Sequence, residues 1–390
     1  MTLRKTIEGG WYKEMVTTCC IFMMRLALIT IVLFGICADS YSQLRLNHIQ
    51  VIGSHNSYKE AIEPSLFRAL TEQDSSRFMG LEYEHVSLTE QVQLGLRKLE
   101  LDIFYDPDGG LLAHPQGLEL VKQRGDEPLP YDEDSEMLSS GFKVLHIQDI
   151  DYRSNCLTLE SCLNELKSWS EENPLHLPIF ISFNAKDQVI PLPGSAKPLG
   201  FNSTAFNELD QELIRVLGRD KIVMPDDVRG SFKTLQQAIS KNGWPLLEEV
   251  RGKFIFILDE GGEKLETYIA AHPALINRVL FVNAVEGTPE AAIRIVNDPI
   301  KDRDYIQNLV KAGYIVRTRA DANTMEARTG ETKRRDVAFE SGAHLISTDY
   351  YQLPNLFGTD YVVQLPGVQE AICNPILSSD AACQNKDLRK

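Results

Sequence analysis

The sequence predicts an α/β protein whose parallel strands close into a (β/α)8 barrel of the TIM type. Three observations predict it. Eight short apolar runs are bounded by turn residues, helical apolar spacing separates several of them, and polar residues with chemical potential collect at the carboxyl ends of the runs. Alternating strands and helices imply parallel strands joined by crossovers. In a barrel, functional groups sit on the loops that follow the strands. A doubly wound sheet is the alternative arrangement of the same alternation.

The first run, 49–54, leads into Gly53-Ser54-His55-Asn56-Ser57-Tyr58, and a helical pattern over 88–94 ends at Gly95. The second run, 96–104, carries Glu100 and Asp102. Side chains two apart share a strand face, so these two acids project together. An irregular stretch, 106–141, follows and contains Leu111-Leu112-Ala113-His114-Pro115. The third run is 142–147, with His146 near its end, and a helical pattern over 157–170 leads to the fourth run, 178–183. A second irregular stretch, 188–201, precedes a helix over 205–217 and the fifth and sixth runs, 253–258 and 279–285. Helices over 305–311 and 333–341 flank the seventh run, 314–318, and the eighth is 344–347. Gly313 and Gly342, like Gly95, stand where a helix ends and a strand begins, the place for a left-handed residue. The irregular stretches are candidate active-site loops or lids.

The pieces at the strand ends converge on one kind of chemistry. Glu100, Asp102 and an amide supply oxygen ligands for a hard cation, and two histidines supply imidazoles for proton transfer near neutral pH. Together they point to phosphodiester cleavage. Carboxylates in an apolar strand are costly without partners or a metal, which favours a site over a core. Arg317 and Arg319 alternate along the seventh run, so both can face the barrel mouth and bind an anion, or else pair with Asp321 or Asp349. His146 and Asp149 can line the pocket from the third run, but His146 reads rather as a satisfied barrel histidine, and His85, His176 and His272 read as surface residues.

A chain of 390 residues with 43% apolar content accommodates one large domain. Met23-Met24-Arg25, the apolar stretch 26–37 and the small residues before Gln43 match a secretory signal over 1–42, with initiation at Met1, Met15, Met23 or Met24. An uncleaved anchor is the alternative, although the apolar stretch is short for a span of roughly 20 residues. Export fits the cysteines, because Cys156, Cys162, Cys373 and Cys383 form two close pairs suited to disulfides in an oxidising compartment. Their spacing does not suit zinc. A formal net charge of −15 argues against nucleic acid and against broad adhesion to anionic membranes. Membrane contact, if the substrate is a lipid, is therefore transient. There is no glycine-rich phosphate loop, nucleotide fingerprint or internal repeat. One barrel over 43–390 is the expectation, taken as a monomer.

Over residues 46–375 the chain resembles the calcium-dependent phosphatidylinositol-specific phospholipases C, particularly the secreted single-domain bacterial kind. The resemblance rests on His55-Asn56-Ser57-Tyr58, Leu99-Glu100-Leu101-Asp102, His114, residues 178–186, Gly243-Trp244-Pro245 with Arg251-Gly252-Lys253, and Ser347-Thr348-Asp349-Tyr350. It implies a distorted (β/α)8 barrel and one calcium ion held by Asn56, Glu100, Asp102 and the position of Asn184, where the family normally carries a carboxylate. It also implies attack of the inositol 2-hydroxyl on phosphorus, releasing diacylglycerol and a cyclic inositol phosphate. In that scheme His114 protonates the leaving oxygen, His55 bonds the phosphoryl group and Glu100 is the candidate base. Lys186 would approach the phosphate, or with Asp187 form only a solvated strand end. Arg317 and Arg319 would bind the inositol head group. Two rivals are a glycerophosphodiester phosphodiesterase, which usually has Arg where Asn56 stands, and a non-catalytic binding barrel.

Overall fold

Apolar runs with helices between them form parallel strands here, as their burial on both faces requires. The computed structural model describes residues 44–241, 243–367, 370–377, 383 and 388. The strands are β1 (Ile49–Ser54), β2 (Lys98–Asp106), β3 (Gly141–Val144), β4 (Ile179–Ala185), β5 (Phe254–Leu258), β6 (Phe281–Val282), β7 (Ile293–Ile295), β8 (Ile315–Arg319), β9 (Leu345–Thr348) and β10 (Ile372–Cys373). Eight of them run in the order β6-β5-β4-β2-β1-β9-β8-β7. All these neighbours are parallel. A parallel bridge from Asn283 to Ile293 brings β7 back to β6 and closes the ring. The expected barrel is therefore present.

Its composition differs from the expectation in two places. The third run is not a ring strand: β3 lies antiparallel to the far end of β2, from Ile103 opposite Val144 to Asp106 opposite Gly141. β2 is nine residues long and outruns the ring, so its end offers free backbone groups that β3 pairs. The missing ring strand is β7, whose three residues Ile293-Arg294-Ile295 are too short to register as an apolar run. No helix separates β6 from β7 among the described residues, and this is the seam of the barrel.

Close approach at one glycine sets the register of β1 on β2. Gly53 pairs with Lys98, and a Cβ on Gly53 would lie 1.9 Å from the Lys98 carbonyl oxygen. Any side chain there would push the strands apart. Gly95, Gly313 and Gly342 have φ of 95°, 93° and 76°, as their helix-ending positions predict.

Leu99, Leu101 and Ile103 of β2, with Ile181 and Phe183 of β4 and Phe256 of β5, belong to one large apolar core that includes the buried faces of helices Leu159–Glu172 and Ser203–Leu217. The alternate residues of β2 are Lys98, Glu100 and Asp102, all buried. A barrel interior is usually filled by branched aliphatic side chains. Here it carries charge, and that difference builds the site.

The described residues from Leu44 onwards form one compact unit. The expected signal over 1–42 lies outside the described residues. Both expected disulfides, Cys156–Cys162 and Cys373–Cys383, are formed. Among the described residues, no helix is long and apolar enough to cross a membrane.

Candidate active site

The chain leaves β1 through a loop that its own serines fasten to β2. Ser54 and Ser57 share a hydrogen bond of 2.5 Å between hydroxyls. The Ser57 hydroxyl accepts the Glu100 N–H at 2.8 Å, and the Ser57 N–H donates to the Glu100 carbonyl at 2.8 Å. Gln91 completes the fastening by donating to the Ser57 carbonyl at 2.7 Å. Asn56 takes a left-handed φ of 46°, a conformation that asparagine tolerates better than most residues. His55 is thereby turned into a cleft of about 370 Å³ at the carboxyl ends of the strands.

That cleft is lined by His55, Asn56, Glu100, Asp102, Asn184, Lys186, Arg317 and Arg319, so eight of the nine expected site residues come together. His114 does not. It is exposed and borders a separate small crevice with Gln148 and Asp149. The second histidine of the cleft is His146. Its Nδ1 lies 2.7 Å from Asp151 Oδ2, and Lys59 Nζ lies 3.2 Å from the other oxygen of that carboxylate. Burial raises the Asp151 pKa, but Lys59 and His146 together bring it below the usual carboxylate value. An ionised Asp151 orients the imidazole and leaves Nε2 as its other functional nitrogen.

His55 has a similar arrangement. Its Nδ1 lies 3.1 Å from Asp349 Oδ1, and its backbone carbonyl accepts from His85 Nε2 at 2.8 Å. Burial and then Arg319 lower the His55 pKa against the pull of Asp349 and Glu100. Asp349 is itself held low: burial opposes ionisation, but the adjacent His55, His85 and Arg319 outweigh it. The nearby Asp321 is raised to about 7 by burial and by the charge of Asp349. His85 and His176, read from the sequence as surface residues, are each only 7% exposed, and His272 is partly buried. The sequence held no signal for His85, because its partners are the His55 carbonyl and Asp349 and Tyr351 of the loop beyond β9.

Glu100 sits at the centre of the ionic interior. Lys98 Nζ is 2.5 Å from Oε2, and an Arg317 terminal nitrogen is 2.9 Å from the same oxygen. Asn184 donates its amide N–H to Glu100 Oε1 at 3.3 Å and to Asp102 Oδ1 at 2.9 Å. Lys186 Nζ is 3.1 Å from Asp102 Oδ2. Burial raises the Glu100 pKa, yet Lys98, Arg317 and His55 bring it well below the ordinary range. Burial lowers Lys98 to about 8 in spite of Glu100. Lys98 escaped the sequence reading because it looks like any strand lysine until β2 is placed inside a ring.

The sequence pattern of the family described as phosphoinositide phospholipase C, Ca2+-dependent, matches residues 44–375. The chain belongs to this family. It is an enzyme of the phospholipase C type, as its relatives are. No curated protein matches. Among solved structures, the fold is similar to the calcium-dependent phosphoinositol-specific phospholipase C of a Gram-negative bacterium, Pseudomonas sp, in its apo form. That likeness has a TM-score of 0.50 at 18% identity, over 86% of this chain and 97% of the other. The calcium-dependent phosphatidylinositol-specific phospholipase C from Streptomyces antibioticus matches with a TM-score of 0.50 at 18% identity, over 81% and 98%. At such identity these likenesses speak for the fold alone.

The calcium named in the family description can be tested against this phospholipase's own donors. The residues present do not fit it well. Calcium takes six to eight oxygen ligands, from carboxylates, amide and backbone carbonyls and water. Of the expected four, Asn184 stands where the family carries a carboxylate, and it turns its N–H, not its oxygen, towards both Glu100 and Asp102. Among the described residues, no group of three or more His, Cys, Asp or Glu is arranged to hold a metal.

Proposed function

We propose that this phospholipase C cleaves the glycerol–phosphate ester of an inositol phospholipid by attack of the neighbouring ring hydroxyl on phosphorus. A second P–O bond to the ring forms while the first is kept, the P–O bond to glycerol breaks, and the products are diacylglycerol and a cyclic inositol phosphate. His55 takes the proton from the attacking hydroxyl. Its lowered pKa keeps it neutral at neutral pH, and Asp349 stabilises the imidazolium that forms. His146, held by Asp151, gives a proton to the departing glycerol oxygen. This replaces three sequence-based roles, His55 moving from bonding the phosphoryl group to taking the proton. His114 lies outside the cleft, and Glu100, occupied by Lys98 and Arg317 and poorly basic, is unsuited to proton abstraction. Lys186 and Arg319, both partly exposed at the cleft, are placed to meet an anionic phosphodiester.

The pair of carboxylate-held histidines at one cleft that also presents Lys186 and Arg319 carries this reading. The disulfides support export of the chain to an oxidising compartment, secreted or periplasmic, after loss of residues 1–42, and the acidic net charge supports only transient contact with the bilayer. The test is release of cyclic and acyclic inositol phosphate from phosphatidylinositol vesicles, beside release of glycerol phosphate from soluble glycerophosphoinositol. Turnover of the vesicles with cyclic product is expected. Turnover of the soluble diester alone would assign a glycerophosphodiesterase, and turnover of neither a binding barrel.

A further inference from the structure

All four oxygens of Glu100 and Asp102 are already occupied by N–H donors. Glu100 Oε2 faces Lys98 at 2.5 Å and Arg317 at 2.9 Å, and Glu100 Oε1 accepts from Asn184 at 3.3 Å. Asp102 Oδ1 accepts from the same amide at 2.9 Å, and Asp102 Oδ2 faces Lys186 at 3.1 Å. The Asn184 orientation follows from charge, because its oxygen in that place would oppose two carboxylates. One amide N–H group and three cations therefore hold the positions from which a divalent ion would draw its ligands.

Two of these cations, Lys98 and Arg317, are not free to leave. The side chains of Lys98, Glu100 and Arg317 are 0%, 4% and 4% exposed. Lys98 also donates to the Ser54 carbonyl at 3.2 Å, and Arg317 to Ser347 Oγ at 2.9 Å and to Asn297. Separating a buried pair strands a charge away from water, which is strongly unfavourable. Placing a doubly charged ion beside Lys98 and Arg317 would add repulsion in a medium that screens poorly.

We propose that the site supplies its own positive charge, with Lys98 and Arg317 fixing Glu100 and Lys186 bridging Asp102 to the phosphoryl oxygens, so that turnover needs no divalent cation. This rests on the phospholipase reading and departs from the calcium dependence named for the family. In this arrangement Lys98 and Arg317 are positioning residues, and Lys186 is the group that touches substrate. Its stem leaves Nζ at the cleft wall, with 28% of the side chain exposed.

Two measurements on the full chain separate this inference from the reading it rests on. The first is calorimetric titration with calcium chloride, together with the melting temperature in calcium and in excess chelator. No binding heat and no shift are expected, and saturable binding would overturn the inference whether or not the protein turns over lipid. The second is inositol phosphate release from phosphatidylinositol vesicles in calcium and in chelator. Equal rates are expected, whereas a metal-requiring site would lose at least about a hundredfold in chelator. Lys186→Met, a partly exposed position where folding is expected to survive, should lower kcat at least about tenfold in chelator with calcium giving no rescue. An unchanged kcat would overturn the role of Lys186. If no lipid is turned over in either condition, the phospholipase reading fails and the titration still decides the question of the ion.

Discussion

Two histidines in the cleft carry the proposed proton transfers, and each is oriented by a different carboxylate. Asp349 holds His55 at 3.1 Å and Asp151 holds His146 at 2.7 Å. A general acid in place contributes typically about 10²–10⁴-fold, so His146→Ala should lower kcat by about that factor. His114→Ala should leave kcat unchanged, since His114 borders another crevice. Steady-state rates on phosphatidylinositol vesicles check both. Equal losses in the two variants would return His114 to the site. Residue types and spacing made His55, Glu100 and Asp102 legible, because a strand end and a period of two were enough to aim them. His146 reads from the sequence as a satisfied barrel histidine, since its partner Asp151 lies on the turn that folds back after β3.

Strand pairing in the barrel is reinforced by side chains that read backbone. His344, just before β9, accepts the Val316 N–H through Nδ1 at 3.1 Å and donates from Nε2 to the Asn47 carbonyl at 2.9 Å. The first bond needs the neutral ring, because a proton on Nδ1 would face another N–H. Burial lowers its pKa from 6.5 to about 4. A folded-state pKa below the unfolded one means that the contribution is complete above pH 6.5 and is lost as pH falls towards about 4. The loss amounts to about 3 kcal/mol over that window. Denaturant midpoints of the wild type and His344→Gln, compared across the window, should therefore converge as pH falls. His176 is lowered in the same direction, so only the difference between the two proteins isolates His344. Parallel midpoints would show that His344 does not titrate with folding. At this scale most ring strands could be read from apolar runs bounded by turn residues. The place of β3 outside the ring and the existence of β7 could not, because pairing of the overlong β2 and closure of the seam are decided by neighbours distant in sequence.

Across the whole molecule the formal charge of −15 opposes approach to an anionic bilayer, while the cleft concentrates Lys186, Arg317 and Arg319. Vesicles rich in anionic lipid should therefore be turned over slowly at low ionic strength. Salt shortens the Debye length to about 10 Å at 0.1 M, so turnover should rise with added salt before it levels. A rate that falls monotonically with salt would mean that a local basic surface, not net charge, governs encounter. The sequence by itself determined the α/β alternation, the barrel, the paired cysteines and the acid-rich end of β2, because apolar period and strand parity are local properties. Only the tertiary structure decided which histidine enters the cleft and that Lys98, Arg317 and Lys186 occupy the carboxylates. Those contacts join positions as far apart as Glu100 and Arg317, and ring closure alone brings such positions within hydrogen-bond distance.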